Sequence, residues 1–130
     1  MGDAVGAAAQ ALVGTRFRLH GRDVASGLDC VGVVAAALRA GGFEGAVPTG
    51  YALRGGRCAR IVAAIDAMLV RVETMGVGDV LLFAIGAGQF HLAIKTAGGI
   101  VHADAALRRV VERPGAPPWP VVGIWRWGDR

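Results

Sequence analysis

The apolar period of this chain changes near residue 69, and that change restricts it to a mixed architecture. Before it, apolar residues recur at helical spacing: Val5, Ala8, Ala9 and Leu12, then Val31, Val34, Ala35 and Leu38, then Ile61, Ala64, Ile65 and Met68. These stripes predict helices over 3–13, 30–40 and 57–68. After residue 69 come short apolar runs separated by glycine-rich turns, which predict strands at 69–73, 80–85, 89–95, 100–102, 108–113 and 121–127. Helices first and antiparallel strands second is the α+β layout. The expectation is N-terminal helices packed on a five- to six-stranded antiparallel sheet, in a single domain over 1–130. Residues 15–27 read as an ordered loop. Residues 43–56, with Pro48 and four glycines, read as a surface excursion, and 114–120 as an irregular proline-rich link.

Charge excludes some functions. The chain carries 14 basic and 10 acidic side chains, a formal net charge of +4. All the basic residues but Lys95 are arginine, and they are scattered; Arg108-Arg109 is the nearest approach to a run. Without a basic patch interleaved with aromatics, no nucleic-acid partner is expected. The surplus would still favour loose association with anionic polymers. No apolar stretch reaches bilayer-spanning length, so no membrane insertion is expected. The start Met1-Gly2-Asp3-Ala4-Val5 lacks the basic region of a secretory signal. The chain is therefore expected to act inside the cell or to be carried out by another route. Two cysteines make no disulfide framework, and neither they nor the histidines show zinc-ligand spacing. No metal or cofactor is expected.

Chemistry concentrates at Gly27-Leu28-Asp29-Cys30-Val31-Gly32. Asp29 has the character of a helix N-cap, which puts Cys30 in the first turn. Oriented peptide dipoles there favour a thiolate, and a neighbouring imidazolium would favour it further; taken alone, the cysteine reads more readily as a buried small hydrophobe. Two histidines follow in strand-like segments. In the strand around His91, residues 91, 93 and 95 share one face. If the hairpin turns at Ala97-Gly98, Thr96 pairs with Gly99 and Ala93 sits opposite His102. His91 and His102 then project from the same face as diagonal neighbours; a one-residue slip would separate them. That register permits a relay in which His102 orients His91 and His91 serves Cys30. Asp104 shares the parity of His102 and enters the cleft if the strand continues. His20 sits in the 15–27 loop, either lining the cleft or simply solvated. Cys58 and the pair Trp125 and Trp127 read as packing residues.

These residues fall into an ordered set. Gly14-Thr15-Arg16-Phe17-Arg18-Leu19-His20-Gly21 followed by Asp29-Cys30-Val31-Gly32 resembles the G-T-P-Y-R-W-G-G loop and D-C-S-G start of the NlpC-type cell-wall cysteine peptidases. Gly78-Asp79-Val80-Leu81-Leu82-Phe83 is similar to the family's P-G-D-L-V-F-F strand. His91-Leu92-Ala93-Ile94 is similar to its H-V-G-I strand, and Val101-His102-Ala103 to its I-H-A strand. The resemblance spans residues 4 to 127. It implies a papain-like α+β fold and hydrolysis of peptidoglycan stem peptides, typically between γ-D-glutamate and a diamino acid. It also implies Cys30 as nucleophile, His91 as general base and acid, and His102 as the residue that orients it. The backbone N–H of Cys30 is then a natural oxyanion donor. Two positions depart from the pattern: Val31 replaces serine, and Phe17 replaces a tyrosine whose hydroxyl would assist near the oxyanion. His20 and Arg22 are the candidates to supply that contact. Phe17, His20, Arg22 and Asp29 are accordingly the expected substrate-binding residues. The D-C-V-G form with its L-H-G-R-D loop is similar to short members carried by phage and gene-transfer-agent tails. This implies phage-like tail proteins as partners and delivery to the cell wall by a particle. A structural tail protein with weak or lost catalysis, or an amidase or acyltransferase using the same thiol, are the alternatives.

Overall fold

The computed structural model of the chain describes residues 2–47, 58–86 and 88–128; most of the 43–56 excursion lies outside them. Three helices are described: α1 (Gly2–Ala11), α2 (Cys30–Ala40) and α3 (Cys58–Asp66). A six-stranded sheet follows, built from β3 (Val70–Val72), β4 (Val80–Gly86), β5 (Gln89–Lys95), β6 (Gly99–Asp104), β7 (Arg109–Pro114) and β8 (Val121–Arg126). Its order is β3-β8-β4-β5-β6-β7, and all neighbouring pairs are antiparallel. The expected α+β architecture is the observed one. The 15–27 loop carries more structure than expected. Its two-residue strands β1 (Arg22–Asp23) and β2 (Gly27–Leu28) form a small ribbon, too short to show any alternation in sequence.

The sheet separates two apolar layers. On one face Val33, Val34, Ala37 and Leu38 of α2, with Val5 and Ala9 of α1, bury against Val80, Leu82, Leu92 and Ile94. On the other, Leu81, Phe83, Ala93, Ile100 and Ile124 form a smaller cluster that Trp119 joins. The alternation along β5 is therefore the one the sequence suggests: Leu92 and Ile94 toward the helices, Ala93 away from them. Trp125 is fully buried, and its indole N–H donates to Asp66 at 2.7 Å. Trp127 stands edge-on to Phe43.

The hairpin from β5 to β6 turns as expected. The Thr96 N–H donates to the Gly99 carbonyl at 2.9 Å, and Ile94 pairs with Val101 and Lys95 with Ile100. Pairing stops there, one pair short of Ala93 and His102. β6 nevertheless stays paired with β7 as far as Asp104. Beyond Ile94 the two strands are no longer paired, and residues of both line the cavity described below.

Glycine fixes how the 18–22 loop meets α2. A Cβ on Gly32 would lie 2.2 Å from the Gly21 carbonyl oxygen, and one on Gly21 would lie 2.2 Å from that of Gly27. The backbone is in direct contact at both points, so no side-chain rearrangement can make room. Gly32→Ala is expected to destabilise the protein by about 1–3 kcal/mol, measured by urea denaturation, with activity falling as the loop moves. An unchanged midpoint would show that the loop can shift without cost.

Candidate active site

Asp29 organises the start of α2. Its side chain accepts from the Gly32 N–H at 2.9 Å, as an N-cap does, and from the His20 N–H at 3.0 Å. Arg22 Nη1 donates to the same carboxylate at 2.7 Å. Three partners from a helix turn and a loop hold one buried carboxylate, so Cys30 emerges from a rigid corner. Arg22 and His20 thus act on Asp29 and do not line the cleft. His20 is exposed, with a left-handed backbone (φ 60°) that its N–H bond to Asp29 helps hold in place.

Cys30, His91 and His102 meet at one cavity of about 290 Å³. Asp29, Phe17, Leu19, Phe90, Asp104 and Trp119 are among its other walls. Phe17 is set there by backbone bonding on both sides of its segment. Its N–H donates to Arg108, Leu28 donates to Arg16, and Val110 donates to Thr15. Asp104, the last residue of β6, reaches the cavity because the strand does continue to it. Both cysteines are free thiols, and Cys58 opens α3 away from this cavity.

The two imidazoles are bonded to each other. His91 Nε2 lies 2.9 Å from His102 Nδ1, with the rings nearly perpendicular. That bond leaves His91 Nδ1 as the nitrogen free to meet a proton. In the tautomer that leaves Nδ1 able to accept a proton, the hydrogen sits on Nε2, and His91 donates while His102 accepts. The thiol lies beside this strand: the backbone N–H groups of Leu92 and Val31 both favour its anion.

Electrostatics at the thiol differ from the expectation that the helix start makes a thiolate. Burial pushes the Cys30 thiol up to about 11, and the Asp29 carboxylate adds to the rise. The Leu92 and Val31 N–H groups and Arg22 pull the other way without overcoming desolvation. Burial also takes His91 down to about 4, helped by repulsion from His102 and opposed by Asp104. His102 is lowered as well, chiefly by burial. Both shifts favour the neutral form, of the Cys30 thiol and of the His91 imidazole alike. Alkylation requires the thiolate, whose fraction grows about tenfold per pH unit below the thiol pKa. Iodoacetamide should label Cys30 slowly at about pH 6, and the rate should still be climbing at about pH 9. Fast labelling at about pH 6 that levels off above it would instead indicate a standing ion pair with His91.

Trp119 carried no signal in the sequence beyond its place in the proline-rich link, yet it forms part of the site. Its indole lies 5.5 Å from both imidazoles at 81° and 84°. No group of three metal-ligating side chains occurs among the described residues, and none of their helices is long and apolar enough to cross a membrane.

No family model and no curated protein sequence matches the chain. Solved structures do. The NlpC/p60 domain of the peptidoglycan hydrolase SagA superposes with a TM-score of 0.67 at 22% identity, covering 97% of this chain and 98% of that one. NlpC1 from Trichomonas vaginalis gives 0.72 at 18% identity, and NlpC2 from the same organism 0.68 at 17%. Each match covers 97% of this chain, but only 44% and 46% of the respective Trichomonas chains. The fold is the papain-like α+β fold of NlpC/p60 domains.

Proposed function

We propose that this chain is an NlpC-type cysteine peptidase that hydrolyses a peptide bond in peptidoglycan stem peptides. One observation carries the reading. A thiol at the start of a buried helix shares a cavity with two mutually hydrogen-bonded imidazoles, on the fold of a peptidoglycan hydrolase domain. In this reading Cys30 attacks the scissile carbonyl while His91 Nδ1 takes its proton, so charge separation and bond formation occur together. His102 accepts from His91 Nε2 and steadies the imidazolium as it forms. Because a second positive charge beside it would oppose that step, His102 must stay neutral. The backbone N–H of Cys30 faces the developing oxyanion. His91 returns the proton to the leaving amine, and water then hydrolyses the thioester with His91 again as base.

The bond proposed is the one between γ-D-glutamate and the diamino acid. Defined muropeptides incubated with the protein and analysed by mass spectrometry test it. Products split at that bond support the proposal; release of intact stem peptide from sugar identifies an amidase. A second reading, a structural protein on the same fold, draws on Phe17, which lines the cavity without the tyrosine hydroxyl. It predicts no turnover of either kind. The proposed carrier is a phage-like particle, which requires the chain to be found in purified particles from its host.

A further inference from the structure

We propose that Trp119 is a positioning residue whose indole roofs the His91–His102 pair, fixing both rings and keeping water out of the hydrogen bond between them. This rests on the hydrolase reading for its effect on rate, but not for its effect on the imidazoles.

Geometry carries the inference. The rings of His91, His102 and Trp119 form a closed triangle with centroid separations of 5.0, 5.5 and 5.5 Å. All three pairs are within 10° of perpendicular, with interplanar angles of 89°, 81° and 84°. Edge-to-face contact of this kind restrains ring rotation as well as burying area. An imidazole that turns about its own bond loses the 2.9 Å contact to its partner, so restraint on rotation is restraint on the relay.

The roof is itself anchored. Phe83 of β4 packs behind the indole at 5.4 Å, and the Arg113 guanidinium of β7 lies 6.0 Å from its centre. Prolines flank Trp119 at 117, 118 and 120, which limits the backbone to few conformations. The Pro120 carbonyl accepts from the Ala84 N–H at 3.0 Å, and the next residue, Val121, pairs with Phe83. The link between β7 and β8 thus holds a large ring at a fixed point against His91 of β5 and His102 of β6, beyond the last paired residues of the two strands.

The cavity that both imidazoles line would otherwise admit water to the Nε2–Nδ1 bond. Water there would compete for the proton that His91 must keep on Nε2 and would stabilise the imidazolium at rest. The charged groups that act on His91 are His102 and Asp104 from β6, and Cys30 and Asp29 from the start of α2 line the same cavity. Arg113 from β7 acts on His102. None of these supplies apolar cover; Trp119 does. Burial is the largest influence lowering both imidazoles, as a roof requires.

The test compares Trp119→Ala and Trp119→Phe with the wild-type chain. Imidazole titration by NMR comes first, since it needs no substrate. His91 in the wild type should stay neutral down to about 4, and in Trp119→Ala it should move at least about one pH unit toward its ordinary 6.5. Trp119→Phe should titrate close to wild type. With a stem peptide, Trp119→Ala should lower kcat about 10- to 100-fold, shift the acid limb of kcat upward with the imidazole, and change KM far less. Trp119→Phe should recover most of kcat. A rise in KM with kcat and titration unchanged would make Trp119 a substrate contact and overturn the proposal. So would a loss of kcat with His91 titrating as in wild type. If no stem peptide is cleaved by any form, the hydrolase reading fails, while the titration still decides whether Trp119 roofs the pair.

Discussion

Cys30→Ala will abolish stem-peptide hydrolysis and leave the fold in place. Cys30 is the cysteine that opens the helix at the cavity, and its sulfur lies against the backbone of the strand that carries His91. Loss of a nucleophile from a unit of this kind costs on the order of 10⁴-fold or more in kcat. The side chain is small, so alanine should change unfolding free energy by only about 1 kcal/mol. Cys58→Ala should leave hydrolysis nearly intact, because Cys58 opens α3 outside the cavity. Steady-state kinetics with urea denaturation on the same samples measures both. Loss of activity in the Cys58 variant and retention in the Cys30 variant would reverse the assignment.

The second large effect concerns the imidazoles. His91→Ala should be as damaging as loss of the thiol, since nucleophile and base act as one unit. A thiol held up at about 11 makes this dependence steeper. Burial that disfavours the thiolate leaves the attack more dependent on a base to take the proton. His102→Ala should be milder, because it removes the acceptor at 2.9 Å from His91 Nε2 and leaves Nδ1 in place. His102→Asn or His102→Gln, each with a carbonyl oxygen to accept that hydrogen, should restore part of the loss. Kinetics on the four variants decide the matter. If His102→Ala matches wild type, the orienting role passes to Asp104, which borders the same cavity.

Much of this arrangement could be read from the chain because its determinants are local. Asp29 before Cys30 announces a cap, and α2 begins at Cys30. The glycine-rich turn after Thr96 sets the hairpin register, and parity along two strands then brings His91 and His102 to one face. What could not be read is set by contacts distant in sequence. β8 inserts between β3 and β4, an ordering with no trace in the hydrophobic pattern of the final strand. Trp119 belongs to a link with no period, and contacts distant in sequence, among them the backbone bond at Ala84 and the Phe83 ring, bring it over the imidazoles. Arg22 could be expected in the cleft through the resemblance, as a substitute for the missing tyrosine hydroxyl. Its partner is instead the Asp29 carboxylate at 2.7 Å, which turns it away from the cavity. The thiol shows the same limit most sharply. Its helix position is local and favours the anion, whereas its burial is a property of the assembled core and wins.

The central claim is that Cys30, with His91, hydrolyses a peptide bond of peptidoglycan. Digestion of purified sacculi in H₂¹⁸O, followed by mass spectrometry of the released products, tests it most directly. Peptide fragments bearing one ¹⁸O in the newly formed carboxylate are expected from wild type but not from Cys30→Ala. Sacculi left intact by wild type, or labelled fragments released equally by Cys30→Ala, would contradict it.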